Sequence, residues 1–158
     1  MTPPGDAPVR VHATGVLVAV DRNGPLCGIL LKGPSGVGKS ALALDLVQNC
    51  PWRRTALISD DIVEIYRDGD ALHARTVSGI RGLIEVRGFG PTPTKSCDAD
   101  VPITVCFDLS ETHKDRIAAP DKERICGIDI DVWPLAMPGN AGQIRAVLRA
   151  VISGQMAR

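Results

Sequence analysis

"GILLKGPSGVGKSALALDLV", residues 28–47, passes from a short apolar run through a glycine-rich turn into a helical pattern. Its central residues match the P-loop spacing GxxxxGK[ST]. Glycines at these places let backbone N–H groups converge on phosphate oxygens at the N-terminus of a helix, where the helix dipole favours negative charge. The stretch therefore predicts a strand, a nucleotide-binding loop and a helix. The candidate nucleotide-binding residues are Gly33, Pro34, Ser35, Gly36, Val37, Gly38, Lys39 and Ser40.

Two side chains at the end of the loop carry most of its expected chemistry. Lys39 brings a positive charge to the outer phosphates, and Ser40 offers a hydroxyl oxygen to a magnesium ion. A glycine-rich turn without function is the alternative interpretation. The apolar run before the loop and the helical pattern after it favour the phosphate-binding interpretation.

Strand patterns outnumber helical ones in the rest of the chain. Residues 9–21 form two alternating apolar sets with a break near residues 13–15, which predicts one or two strands with a kink. Further strands are predicted at 55–61, 62–67 in a hairpin with 71–75, 101–109 and 128–135, and an amphipathic helix at 140–153. We expect an α/β fold, a mixed β-sheet with few packed helices, as one domain over residues 1–158 with a flexible leader at 1–8.

Composition limits the classes of function. The chain has 158 residues, of which 44% are hydrophobic, and 18 basic residues balance 18 acidic ones. A neutral chain without a basic cluster argues against nucleic-acid binding. No apolar run approaches the roughly 18 residues that span a bilayer, and no signal-peptide pattern opens the chain, so we expect a cytoplasmic protein without a membrane partner. The five cysteines have no metal-ligand spacing and are expected to be reduced and mostly buried.

Three groups outside the loop are candidates for the chemistry. Asp60 and Asp61 follow a predicted strand, where an open sheet usually places its ligands, and at most one of them can easily face the phosphate. His12 lies within an apolar strand pattern, so the residues alone leave a core histidine open. Glu85 and Arg87 share one face of a short strand, where a surface ion pair is the simpler interpretation. Residues 78–96, with four glycines, are predicted to form a functional loop region.

Four motifs, in order, resemble those of the HPr kinase/phosphorylase family in its short form without the N-terminal domain. They are "VHATGV" (11–16), "GPSGVGKSALAL" (33–44), "ISDD" (58–61) and "IEVRGFG" (84–90). "KDRI", with Arg116, and "LAMPGN" resemble later family motifs more weakly. The fold that this resemblance implies is the HPr kinase C-terminal domain, related to the nucleotide-binding fold of phosphoenolpyruvate carboxykinase.

The resemblance also implies an activity, in which ATP with Mg²⁺ phosphorylates a serine of the phosphocarrier protein HPr and phosphorolysis reverses the reaction. Ser40 and Glu85 would hold the metal, and Lys39 would neutralise the transferring group. Asp61 would be the catalytic base and His12 would orient it, while Arg116 would stabilise charge. The family position favours Asp61 over Asp60 as the base, and the family commonly forms homohexamers.

Two alternatives remain open from the sequence. One is a related kinase that acts on another protein or on a small hydroxylated molecule. The other is a regulatory module that binds ATP without turnover. A P-loop ATPase built on alternating strand–helix units is disfavoured, because the chain lacks that alternation.

Overall fold

The P-loop follows an interior strand of a nine-stranded sheet. The computed structural model describes residues 7–112 and 119–154, so most of the predicted leader and Arg116 lie outside the described residues. The strands are β1 (Val9–His12), β2 (Thr14–Ala19), β3 (Leu26–Lys32), β4 (Ala56–Ser59), β5 (Ile62–Asp68), β6 (Ala71–Thr76), β7 (Leu83–Val86), β8 (Gly90–Pro93), β9 (Val101–Ser110), β10 (Asp121–Ile125) and β11 (Ile128–Ala136). The helices are α1 (Lys39–Gln48) and α2 (Ala141–Ile152).

The sheet is mixed and runs β1-β5-β6-β9-β3-β2-β4, with β11 beside β9 and β10 beside β11. The long strand β9 has room for two partners on one edge, antiparallel β6 at its start and parallel β11 at its end. Strand β3 is parallel to β9, and β2 is antiparallel to both β3 and β4. The carboxyl ends of β4, β3, β9 and β11 therefore meet at the same edge of the sheet, where ligands of open α/β sheets bind.

Both faces of the central strands are buried, which explains their nearly continuous apolar sequences. On one face, alternate residues such as Ile29, Leu31 and Phe107 pack with α1 and α2. On the other face, Leu30 and Cys106 belong to an apolar cluster whose members come mainly from other strands and from the β1–β2 junction. The sheet thus covers its second face with its own outer strands, so two helices suffice for the described residues.

The predicted kink separates two strands, where the sequence had left one or two strands open. β1 ends at His12 and pairs with β5, whereas β2 begins at Thr14 and pairs with β3 and β4. Residues 78–96, predicted as a functional loop region with a short strand at 84–88, contain the two-stranded antiparallel sheet of β7 and β8. The sequence analysis missed the second strand, β8, because its residues are glycine, threonine and two prolines and both glycine and proline are depleted in strands.

Helix α2 is anchored to the rest of the fold by a buried arginine. Arg145 is only 6% exposed, and its guanidinium donates hydrogen bonds to the Ala19 carbonyl at 3.1 Å and to the Leu46 carbonyl at 2.9 Å. The Thr55 hydroxyl accepts a third, at 3.4 Å. Because Leu46 lies in the last turn of α1, the cation also faces the negative end of that helix dipole.

The five cysteines are free thiols, as the sequence predicted. Burial raises the pKa of Cys27, and burial raises the pKa of Cys106 to about 12. Both thiols therefore stay protonated at neutral pH and act as small apolar side chains.

Candidate active site

The P-loop has the backbone of a phosphate cradle. Gly33 and Gly36 have φ angles of 146° and 81°, which favour glycine. A side chain at Gly33 would come within 2.6 Å of the Leu109 carbonyl oxygen, whereas one at Gly36 would project into open space above the loop. Gly38 caps α1 and supplies no side-chain oxygen to the first N–H groups of the helix. The loop therefore offers backbone N–H groups and the space that a phosphate group needs.

Lys39 is held across the loop. Its ammonium group donates hydrogen bonds to the Gly33 carbonyl at 2.7 Å and the Pro34 carbonyl at 3.0 Å, and the residue is 6% exposed. These bonds fix the positive charge where the loop would enclose a phosphate.

Asp60 connects three parts of the site. One carboxylate oxygen accepts hydrogen bonds from the Ser40 hydroxyl at 2.7 Å and from the Thr14 hydroxyl at 2.9 Å. The other accepts the backbone N–H of Glu85 at 2.8 Å. Asp60 is 6% exposed, so these bonds replace the water that the carboxylate loses on burial. The carboxylate therefore holds the P-loop, β2 and β7 together at the carboxyl end of β4.

Asp61 points away from this network and towards solvent. Its φ angle of 67° turns the backbone sharply after β4, and one carboxylate oxygen lies 2.9 Å from His12 Nε2. The two side chains are 68% and 52% exposed. The backbone N–H of Ala13 bonds to the Asp61 carbonyl oxygen at 3.0 Å, which holds His12 beside the turn. The exposure rules out the core-histidine interpretation of His12.

Glu85 reaches the site by way of its main chain. It lies in β7 with an exposed side chain, and its N–H is the donor to Asp60. Among the residues that the structure describes, no group of three or more His, Cys, Asp and Glu side chains is arranged as a metal site. The oxygen donors Ser40 and Asp60 fit Mg²⁺ nevertheless, because this ion commonly combines one or two carboxylates with phosphate oxygens and water. Glu85 as a metal ligand stays a prediction.

The structure brings His12, the P-loop, the two aspartates and Glu85 to one region, while Arg116 lies outside the described residues. Thr14 belongs to the same region and was missed by the sequence analysis. Its hydroxyl bonds to the Asp60 carboxylate and accepts the Asp61 N–H at 3.3 Å. The only sign of Thr14 in the sequence was a polar residue among small residues at the predicted kink.

The sequence is similar to those of known proteins. The model of the HPr serine kinase C-terminal domain family matches residues 8–135. An HPr kinase/phosphorylase of Caldanaerobacter subterraneus is 35% identical over 132 residues, which cover 77% of this chain and 42% of that protein. One from Mycoplasma genitalium is 44% identical over 63 residues, 40% of this chain and 19% of that protein. The chain spans less than half the length of these curated relatives.

A solved structure shares the fold. The HPr(Ser) kinase/phosphatase of Coxiella burnetii superposes with a TM-score of 0.78 at 19% identity and covers 93% of this chain and 98% of that one. This similarity confirms the predicted mixed α/β fold. Neither helix in the described parts of the chain is long and apolar enough to cross a membrane. The family model covers most of the chain, including every motif from His12 to Glu85, and the chain belongs to the HPr serine kinase C-terminal domain family.

Proposed function

We propose that the chain is an ATP-dependent protein kinase that phosphorylates a serine of an HPr-like phosphocarrier protein. One observation carries the proposal. An exposed carboxylate, Asp61, directly follows the buried carboxylate Asp60 that binds the P-loop Ser40. A base open to solvent next to a phosphate-binding loop suits a macromolecular acceptor that docks from outside.

The loop and Lys39 would bind and position the phosphates. Helix α1 begins directly after the loop without a side-chain cap, so its first backbone N–H groups would be free to bind phosphate oxygens. Lys39 would exchange its bonds to the loop carbonyls for phosphate oxygens and offset their charge as the phosphoryl group moves. The charge is already at the loop, so little rearrangement is needed.

Ser40 and Asp60 would hold Mg²⁺ with ATP, with Glu85 approaching from the β7–β8 hairpin. The bound ion would supply charge neutralisation on the phosphate oxygens. Asp60 is hydrogen-bonded to both the Ser40 hydroxyl and the Glu85 main chain. It would therefore set the distance between the P-loop and the hairpin.

Asp61 would remove the proton from the serine hydroxyl as its oxygen attacks the γ-phosphorus and the bond to ADP breaks. His12, 2.9 Å from that carboxylate, would orient it. The names of the relatives suggest the reverse reaction as well. There, inorganic phosphate attacks phosphoserine, the bond to the serine oxygen breaks, pyrophosphate forms, and Asp61 returns the proton to that oxygen.

Three further parts of the proposal follow from the family. Arg116 would stabilise charge on the transferring group, and the enzyme would work in the cytoplasm, where ATP is available. It would act as a homo-oligomer, with a hexamer as the expected state. Size-exclusion chromatography with light scattering would measure that state, and a monomer at working concentration would contradict it.

Transfer of label from γ-labelled ATP to purified HPr tests the proposal. Labelled HPr is the expected result. Label on another protein or on a small hydroxylated molecule, with HPr unlabelled, would favour a related kinase instead. Tight ATP binding without transfer to any acceptor would favour the nucleotide-sensing module.

A further inference from the structure

Three successive residues of β10 form ion pairs, and one of these pairs reaches beyond the β10–β11 hairpin. Glu123 pairs with Lys32 of β3, which lies 91 positions away in the sequence, and the Lys32 ammonium donates hydrogen bonds to both carboxylate oxygens at 2.5 and 2.6 Å. The residues on either side of Glu123 pair with carboxylates of β11, as Lys122–Asp131 and Arg124–Asp129. The Lys32 side chain is 23% exposed, whereas the cations of the other two pairs are 67% and 69% exposed. Solvent therefore screens the Lys32–Glu123 pair less than its neighbours.

The Lys32–Glu123 pair lies on the second face of the sheet, where β3 ends and the P-loop begins. Lys32 is the last residue of β3 and directly precedes Gly33. It shares a face with Leu30, because residues two apart in a strand point to the same side. Glu123 lies opposite Ile130 of β11, and both apolar residues belong to the cluster on the second face. The ion pair therefore connects β10 to the start of the loop.

The β10–β11 hairpin also contacts the other end of the P-loop. Met137 follows β11, and a Cβ atom at Gly38 would come within 3.0 Å of the Met137 Cε atom. The Met137 N–H donates to the Ser110 carbonyl at 3.0 Å, which holds this contact against the end of β9. In the parts of the chain that the structure describes, β10 has a strand partner on one side only, β11. The Lys32–Glu123 pair thus adds a second link between the hairpin and the loop.

The start of the loop matters because it holds the loop cation. The Gly33 carbonyl accepts a hydrogen bond from the Lys39 ammonium at 2.7 Å. A Cβ atom at Gly33 would lie 2.6 Å from the Leu109 carbonyl oxygen, so β9 closes one side of this residue. Lys32 is bonded covalently to Gly33, so a displacement of Lys32 would move the carbonyl that Lys39 binds.

We propose that Lys32 and Glu123 are positioning residues of the P-loop, whose ion pair holds the first residues of the loop and the acceptor of Lys39 in the arrangement that binds phosphate. Both residues act through the loop backbone and not on the reacting atoms. The inference rests on the proposed function, because it takes the ligand of the loop to be ATP with magnesium.

The affinity of the whole chain for magnesium-ATP, measured by calorimetry beside thermal unfolding of the same samples, tests the inference. Lys32→Met and Glu123→Gln should each weaken binding by about 3–30-fold, the range for residues coupled to a ligand that they do not contact. The double variant should bind about as well as the weaker single variant, because the two residues act as a unit. Lys32→Arg, which can still pair with the carboxylate, should bind like the unsubstituted protein.

The two single variants also separate positioning from a simple effect of charge on an anionic ligand. Lys32→Met removes a positive charge and Glu123→Gln a negative one, so charge alone would weaken binding in the first and strengthen it in the second. Positioning predicts weaker binding in both. Neutral substitutions are used because Asp108 lies opposite Lys32 in β9, where a reversed charge would place two carboxylates together.

Lys122→Met and Asp131→Asn are the matched controls, since they make the same charge changes in an ion pair that stays within the hairpin. Both should bind magnesium-ATP like the unsubstituted protein. Unchanged affinity in Lys32→Met and Glu123→Gln, changes of opposite sign, or an equal loss in the controls would overturn the inference. A lower melting temperature with unchanged affinity would show a structural role only and would also overturn it. If Lys32→Met did not fold, Glu123→Gln would decide.

The failure of this inference and that of the proposed function give different results. Weaker ATP binding in both variants of the pair, without phosphoserine formation on HPr by the unsubstituted protein, would refute the kinase and leave the positioning role standing. Phosphoserine formation by the unsubstituted protein, with unchanged ATP affinity in both variants, would refute the positioning role and leave the kinase standing.

Discussion

Replacing Asp61 separates catalysis from stability, because its side chain is exposed while its backbone is unusual. The carboxylate is 68% exposed and pairs with a histidine that is 52% exposed, so loss of the pair should cost less than about 1 kcal/mol. The φ angle is 67°, a region that Asn and Gly adopt readily but that costs other residues about 1–2 kcal/mol. Three substitutions at this position therefore differ in stability although all remove the carboxylate.

We expect Asp61→Asn and Asp61→Gly to unfold within about 1 kcal/mol of the unsubstituted protein, and Asp61→Ala to be the least stable of the three. For a chain of this size, 1 kcal/mol corresponds to roughly 2–4 °C in melting temperature. All three should transfer phosphate at least about 10²-fold more slowly, the lower end for loss of a general base. That factor corresponds to about 2.7 kcal/mol of activation free energy.

Single-turnover transfer to HPr and thermal unfolding, measured on the same samples, give the two quantities. His12→Ala should slow transfer by less than Asp61→Asn and leave the melting temperature nearly unchanged, because the imidazole only orients the carboxylate. If the transfer rates of the three Asp61 variants changed in parallel with their melting temperatures, the lost activity would come from instability, and the reasoning would be refuted. If Asp61→Asn were fully active and Asp60→Asn were inactive, Asp60 rather than Asp61 would be the catalytic base.

The other predictions concern the phosphate loop, the metal and the anchor of α2. Lys39→Ala should abolish detectable ATP binding or transfer in a filter assay, and normal transfer would contradict the assignment of the loop. Ser40→Ala and Glu85→Gln should each raise the magnesium concentration needed for half-maximal transfer. If Glu85→Gln left that concentration unchanged, Glu85 would be a surface residue and not a metal ligand. Arg145→Met should lower the free energy of unfolding by about 2–4 kcal/mol in urea, since three buried acceptors lose their donor. Arg124→Met, at an exposed ion pair, should change it little.

Local chemistry made part of the fold predictable. The P-loop, α1 and the hairpin of β5 and β6 follow from glycine spacing, apolar periodicity and turn residues that act over a few positions. β10 and β8 did not follow. β10 is mostly polar, with residues such as Lys122 and Glu123, so apolar alternation does not mark it. It pairs with β11 through a two-residue turn at Cys126 and Gly127, both of which have positive φ angles.

The candidate site was likewise only partly predictable from the sequence. The sequence identified both aspartates but could not separate their environments, because the left-handed turn at Asp61 is held by residues distant in sequence. The Ala13 N–H donates to the Asp61 carbonyl, and the Asp61 N–H donates to the Thr14 hydroxyl. That turn buries Asp60 against Ser40 and Thr14 and exposes Asp61 beside His12. The motif resemblance supplied His12, which the apolar strand pattern had favoured as a core residue.

The chemical form of the phosphate on HPr tests the central claim most directly. HPr is incubated with the whole chain, magnesium and γ-labelled ATP, and the product is divided between acid and alkali before the modified residue is mapped by mass spectrometry. A serine hydroxyl acceptor predicts label that survives acid and maps to one serine, and Asp61→Asn should give at least about 10²-fold less of it per unit time. Acid-labile label on a histidine, or release of inorganic phosphate with HPr unmodified, would contradict the account.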